Sequence, residues 1–529
     1  VNRAAQSSYD FVIVGAGSAG CVLAARLTEE ANVRVLLLEA GTAREPPASR
    51  IPAAFSKLFK TRHDWAYYTE PEPALGGRRL YVPRGKLLGG SSAMNAMIYM
   101  RGNPLDYDAW AAGGADGWRY ADVLPHFLRA EDQARGALPG HATGGPLRVE
   151  DLLCVNPLST AFVDACAEIG IERNSDFNGG SQDGAGLYQV TQKSGRRWSA
   201  ANAYLFPAMS RPGLDVRRGA HALSVWFEGR RAAGVEFVEA GQRKRAGAER
   251  EVLLCAGAIG SPQLLLLSGV GPSRDLARWG IPVVCEREGV GRNLQDHPFV
   301  GIGFQCKEPI TLINAERPSA LLRYLAGRRG PLTSNIAEAG AFVRSSPDET
   351  APDLQFHFAP TLFIDHGFTR PNVHGFSLGH ALLTPKSRGT ITLSSADPFA
   401  PPRIAGNYVS HPAELKALLF GLRLARRITG AKAFERYRGA EYLVSGAPLR
   451  TDAELEAHVR STAELLYHPS GTCKMGKDDL AVVDPELRVR GVEGLRVADA
   501  SVMPVVVRGN TNAPTIMIAE RLASWLSGR

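Results

Sequence analysis

The stretch "YDFVIVGAGSAGCVLAARL", Tyr9–Leu27, constrains the chain more than any other. Phe11 to Val14 is a short apolar run of strand type. Gly15, Gly17 and Gly20 follow as G-x-G-x-x-G, and Cys21 to Leu27 favour a helix. A second apolar run, "VRVLLLEAG", ends in Glu39, 19 residues past the last glycine. Strand, glycine turn, helix, strand and acid together form a dinucleotide-binding unit. Glycines let the backbone approach a pyrophosphate, and the helix N-terminus favours its negative charge. Glu39 can accept hydrogen bonds from a ribose. The unit by itself fits NAD as well as FAD.

A chain of 529 residues exceeds one ordinary core, so two or more domains are expected. With 56 Gly and 34 Pro, many tight turns and long ordered loops follow. The seven cysteines, scattered from Cys21 to Cys473, suggest no disulfide framework and fit a reducing compartment. Neither a C-x-x-C pair nor a His/Cys cluster proposes a metal. The "VNRAAQSSYD" start lacks the apolar core of a signal peptide, and no apolar run nears the roughly 18 residues that span a bilayer. A cytoplasmic location is expected. The net charge of +8 is compatible with peripheral contact to the inner membrane, although "GRR" and "QRKR" sit in turn-like, solvated segments. No aromatic-and-basic pattern points to nucleic acid.

A second glycine cluster separates the cofactors. "PRGKLLGGSSAMNAMIYMRG", Pro83–Gly102, carries paired glycines, paired serines and Asn95, which suit close contact with a flat or phosphorylated ligand. With "GAIGSPQLLLLSGVG", Gly257–Gly271, it resembles the two signatures of the glucose-methanol-choline (GMC) oxidoreductases. The resemblance runs from Tyr9 to about Leu526. It implies an α/β (α+β overall) fold, with a Rossmann-like FAD-binding domain and a second, discontinuous sheet-and-helix substrate domain. The expected boundaries are 1–157, 200–305 and 462–529 for the FAD domain and 158–199 and 306–461 for the cap. In the cap, "LQFHFAPTLF" and "RGTITLSS" alternate like strands, and "PAELKALLFGLRLARRI" has helical periodicity.

The resemblance also assigns cofactor contacts. Beside Gly15, Gly17, Gly20 and Glu39 these are Ser18, Ala19 and Ala40 in the first unit, then Trp65 and Arg84. Gly89, Gly90, Ser92, Asn95, Ala96, Met97 and Ile98 come from the first signature. Ala222, Ala256, Gly257, Asp499, Ala500, Asn512 and Thr515 complete the set. Some relatives tie FAD to a histidine just before the signature asparagine. Met94 stands there, so non-covalent FAD is expected.

Catalysis is expected at "LLYHPSGT", Leu465–Thr472. Proline braces the backbone beside His468. The resemblance pairs His468 with Asn512, 44 residues on, at the reactive edge of the flavin. A neutral imidazole suits proton removal from an alcohol, and an amide can hold the alcohol oxygen. His297, in "VGRNLQDHP", reads as a structural or cofactor-side residue. Phe299, Phe358 and Leu466 suggest an apolar substrate pocket, and Phe299 offers no acid to a quaternary ammonium.

The pattern is most similar to bacterial dehydrogenases of aliphatic alcohols, with choline dehydrogenases next. It implies primary alcohol oxidised to aldehyde, with electrons passed to a quinone or other carrier. A dioxygen-using oxidase, a choline dehydrogenase and a redox-neutral lyase or photodecarboxylase remain alternatives. Oligomeric state is open.

Overall fold

In the computed structural model, which describes residues 7–442 and 449–528, the glycine unit folds as read. Strand Ser7–Val14 leads into helix Ser18–Leu27, and strand Val35–Glu39 returns parallel to the first. Residues 1–6 of the stretch read for a leader, and 443–448 of the cap segment, lie outside the described residues. Val35 to Leu38 are all buried, as expected of a parallel strand covered on both faces.

The first sheet has seven strands. Leu214–Arg218, Val35–Glu39, Ser7–Val14 and Gln242–Leu254 lie side by side in parallel, and Leu495–Val497 adds to the last of these. The strands Ala220–Glu228 and Arg231–Glu239 extend it as an antiparallel meander. The C-terminal ends of the parallel strands therefore share one edge. Gly15 to Gly17, Glu39 to Gly41, Cys255 to Gly257 and Ala498 to Ala500 all leave the sheet there. Open α/β sheets bind ligands at that edge.

The second sheet is antiparallel. Its order is Arg438–Tyr442, Pro298–Cys306, Gly375–Leu382, Leu354–Ala359, Ala339–Val343 and Gly184–Leu187, and Glu464–Leu465 pairs with the start of Pro298–Cys306. Strand Pro298–Cys306 thus belongs wholly to the cap sheet. The expected boundary at 305 falls within this strand. Helices Pro157–Glu168 and Pro412–Gly430 pack on one face of this sheet. Phe304, Phe356, Phe358 and Phe376 point to that side, where Phe358 and Phe376 meet each other, Phe162, Phe304 and Phe434 with ring centroids 5.1–5.8 Å apart. Burying each ring contributes about 1.5–3 kcal/mol. The opposite face carries Gly303, Ala359, Ser377 and Gly379, whose small size leaves space above the sheet.

All seven cysteines are free thiols. Among the described residues, no helix is long and apolar enough to cross a membrane.

Candidate active site

One cavity of about 880 Å³ lies between the strand ends of the first sheet and the small-residue face of the second. That volume is near the upper end for small-molecule sites. Three helices begin at its wall: Ser18–Leu27, Gly257–Leu267 and Asn512–Leu526. None has a side-chain cap or an acid in its first turn. Positive dipole ends therefore converge on one space, which suits an anion, although at Gly257–Leu267 the Gly257 N–H already donates to Asp499 Oδ2 at 2.9 Å. Gly17 presents open space to it, since a Cβ there would meet nothing nearer than the Cys255 carbonyl at 3.9 Å.

Glu39 sits at the end of its strand with both oxygens anchored. Oε2 accepts from the Ala16 N–H at 3.0 Å and Oε1 from the Gly41 N–H at 2.8 Å. Burial pushes its carboxyl up to about 7. Its remaining lone pairs face the cavity, where ribose hydroxyls could donate. Further along the wall Lys86 Nζ lies 4.3 Å from the centre of the Trp65 ring, and His221 packs against Trp65 and Phe399.

The other end of the cavity is built from histidines. Segment 466–470 runs antiparallel to 295–297: Leu466 N–H donates to the His297 carbonyl, and Gln295 and Ser470 exchange backbone bonds. The N–H groups of both His297 and His468 donate to Asp296 Oδ1, at 2.7 and 2.8 Å. Burial raises Asp296 to about 7. Tyr467 holds φ at +67°, a strained left-handed turn that points His468 into the cavity.

A chain of hydrogen bonds sets the tautomer of His468 from both sides. Tyr188 O–H donates to the Phe356 carbonyl, so its oxygen accepts from Gln355 Nε2. The same Nε2 donates to Asn510 Oδ1 at 3.2 Å, which turns Asn510 Nδ2 towards His468 Nε2, also at 3.2 Å. His468 Nε2 is then the acceptor and its proton sits on Nδ1, 2.9 Å from His297 Nδ1. His297 in turn carries its proton on Nε2. That atom makes no close bond, but the carbonyls of Leu383 and Val507 face the ring. Burial, then the His297 and His357 rings and the Arg84 guanidinium, hold His468 well below the ordinary histidine value. Burial takes His297 and His357 down to about 3. All three rings are neutral, and His468 presents a basic nitrogen to the cavity.

Two family models described as GMC oxidoreductase match residues 9–299 and 385–519. The chain belongs to the GMC oxidoreductase family. It is 45% identical to the alcohol dehydrogenase [acceptor] of Pseudomonas putida over 526 residues, covering 97% of this chain and 95% of that one. It is also 45% identical to the mitochondrial choline dehydrogenase of Homo sapiens, covering 99% and 90%. The crystal structure of pyridoxine 4-oxidase from Mesorbium loti superposes with a TM-score of 0.90 at 32% identity, covering 98% of this chain and 99% of that one.

The residues of this GMC oxidoreductase fit FAD. The open N-termini of Ser18–Leu27 and Asn512–Leu526 suit its pyrophosphate, Glu39 its ribose, and Gly257, where a Cβ would meet nothing within 4 Å, leaves room for close approach. Gly15, Gly17, Ser18, Ala19, Ala40, Trp65, Arg84, Gly90 and Ser92 line the cavity. So do the segment Asn95 to Ile98 and Ala222, Ala256, Gly257, Asp499, Ala500 and Thr515. Gly20 and Gly89 do not reach it. A Cβ on Gly20 would lie 1.9 Å from the Gly15 carbonyl, so this glycine permits the turn rather than touching a ligand. Gly89, at φ +91°, packs against Ala93, Ser199 and Ala201.

Two further expected residues are placed differently. The amide beside His468 is that of Asn510, not Asn512. Asn512 opens the last helix, and its Oδ1 accepts from Ser18 Oγ at 2.7 Å, which ties two of the helix ends together. Phe299 and Leu466 line the cavity, but Phe358 is fully buried in the aromatic core. Alternation along Leu354–Ala359 sends Phe356 and Phe358 to the helices and Gln355, His357 and Ala359 the other way. His357 is thus a site residue that the sequence reading missed, and its Nε2 has no partner. Strand parity in "LQFHF" was the available signal. His297, read as structural, is buried yet in direct contact with His468.

Proposed function

We propose that this chain is an FAD-dependent dehydrogenase that oxidises an uncharged primary alcohol to an aldehyde and passes the electrons to a quinone or other carrier. The observation that carries this reading is the single orientation imposed on His468, with Nε2 as the accepting nitrogen, held at 3.2 Å by Asn510 Nδ2, which an entering alcohol would displace from it. An alcohol oxygen entering between them would donate its proton to Nε2 and accept from Nδ2. His468 serves as general base, and Asn510 holds the oxygen as negative charge develops on it. His297 and Asp296 fix the ring and its backbone, so little motion is needed at the moment of proton transfer. The apolar wall of Phe55, Phe59, Phe299 and Leu466 excludes water. FAD, when bound, supplies the hydride acceptor.

Met94 is buried and its thioether is a poor nucleophile, which supports non-covalent FAD. A flavin retained after acid precipitation would overturn that point. Replacing His468 with Ala should lower turnover about 10²–10⁴-fold. A loss under about threefold removes it from the role of base.

Of the four acids that line the cavity, Glu39, Asp365, Glu464 and Asp499, the one beside Phe299 bears on choline. Glu464 stands directly across from Phe299 in the paired strands and lines the cavity. Its carboxylate is already bound by Arg78, whose guanidinium neutralises it. A compensated acid gives a trimethylammonium group little attraction, which favours a neutral substrate. Anaerobic bleaching of the flavin by a panel of short, long and aromatic alcohols, polyethers and choline tests the proposal. Aliphatic or aromatic alcohols should bleach the flavin at lower concentration than choline. Preference for choline would overturn the neutral-substrate reading, and no bleaching by any alcohol would overturn the reaction. Fast reoxidation of the reduced flavin in air would replace the carrier with dioxygen.

A further inference from the structure

Helix Pro318–Gly327 touches the rest of the protein along a thin line. Only Ala320 and Tyr324, one turn apart, are buried, and Tyr324 O–H donates to the Arg50 carbonyl at 3.2 Å. The outer face carries Leu321, Leu322 and Leu325, exposed to 44%, 66% and 70%. No other helix among the described residues exposes three leucines together. Apolar ridges of this kind on a water-facing surface mark contact sites.

The ridge is framed by cations. Arg317, Arg323, Arg328 and Arg329 surround it, all are exposed, and none makes an ion pair within the described residues. The sequence from Arg317 to Ile336 contains no acid. Leucines flanked by unpaired arginines complement an anionic lipid surface, where headgroups neutralise the guanidiniums and the acyl boundary takes the leucines. A protein partner of matching shape would need acids around an apolar groove. A second copy of this chain would place eight arginines in one interface, which disfavours self-pairing.

The position matters for access. The turn Pro331–Thr333 follows the helix and packs on Pro52–Leu58. Phe55 from that segment and Ile336 just beyond the turn both line the cavity. We infer that helix Pro318–Gly327 is a docking foot that sets the cavity wall formed by Phe55 and Ile336 against an anionic membrane surface. The protein lies on the surface and does not span it. Docking stands apart from the reaction. Only its consequence, delivery of a lipid-borne alcohol or electron acceptor, rests on the dehydrogenase reading.

Flotation of the full-length holoprotein with vesicles tests this. Phosphatidylcholine vesicles should not carry the protein, and vesicles that also contain phosphatidylglycerol should, with binding lost as salt is raised. Removing each arginine should lower partition about fivefold. The double variant Leu322→Asp, Leu325→Asp should abolish flotation, and Arg323→Glu, Arg328→Glu should weaken it strongly. Both should keep the flavin spectrum and the melting temperature, because the changed side chains face solvent. Equal flotation of the variants, or no flotation of the wild type, would overturn the inference. So would sedimentation analysis showing a dimer that the leucine variant abolishes in a protein that ignores lipid. Flotation is read without turnover, so a failure of docking and a failure of the alcohol reading are told apart.

Discussion

Replacing Asn510 and Asn512 separately by Ala distinguishes the two places in which the turn "GNTNAPT" puts an amide. Asn510 Nδ2 lies 3.2 Å from the basic nitrogen of His468 and is oriented from behind by Gln355. Its loss removes one donor to an oxygen that gains charge during the reaction. Loss of a donor of this kind costs about 2.7–4 kcal/mol, or about 10²–10³-fold in turnover. Asn512 instead accepts from Ser18 Oγ at 2.7 Å, away from the histidines. Breaking a neutral hydrogen bond of that kind costs about 0.5–1.5 kcal/mol. The loss should show in cofactor affinity, about two- to tenfold, because the bond joins two helix ends that face the anion. Rapid-mixing flavin reduction under anaerobic conditions, with FAD saturating, reads the first effect. Titration of the apoprotein with FAD reads the second. If Asn512→Ala slows reduction a hundredfold while Asn510→Ala leaves it within threefold, the Gln355–Asn510–His468 hydrogen bonds do not set the reactive geometry.

Two other outcomes follow from the geometry. Gly17→Ala should leave the melting temperature of the apoprotein nearly unchanged, because the added methyl finds space, yet weaken FAD binding. Gly20→Ala should lower both, since its methyl would meet the Gly15 carbonyl at 1.9 Å and the strain costs about 1–3 kcal/mol or more; equal melting temperatures for the two variants would refute the distinction. His141 lies between Asp176 at 2.7 Å and Glu131 at 3.0 Å, and these partners raise it to about 9. A raised histidine adds stability that is complete below its ordinary value near 6.5 and is lost as pH rises through 9. The melting-temperature gap between wild type and His141→Asn should therefore shrink between pH 6.5 and 10, and a gap that grows with pH would contradict the assignment.

The dinucleotide unit was legible in the sequence because its signal is local. Strand, glycines, helix and acid occupy a continuous stretch of the chain, and every step has a backbone reason. The small-residue clusters at Gly85–Asn95 and Ala256–Gly257 were legible for the same reason. The membership of strand Pro298–Cys306 in the second sheet was not, because a strand that feeds either sheet looks the same in one dimension. Phe358 was misplaced by one step of parity: an aromatic residue in an alternating strand declares that one face is buried, but not which face is the core and which the cavity.

The catalytic end was legible only in part, for a different reason. His468 stood out because a proline constrains it. What fixes its ring and tautomer, however, is supplied by residues more than a hundred positions away. His297 and Asp296 reach it across an antiparallel pairing of segments 295–297 and 466–470, and Gln355 acts on it through Asn510. Spacing from His468 alone cannot choose between Asn510 and Asn512, since both lie in one turn and both face the cavity. The choice is made by Ser18, which captures Asn512, and by Gln355, which captures Asn510. Each amide is thus assigned by the partner that fixes its oxygen, and the N–H of Asn510 is left to donate to the imidazole.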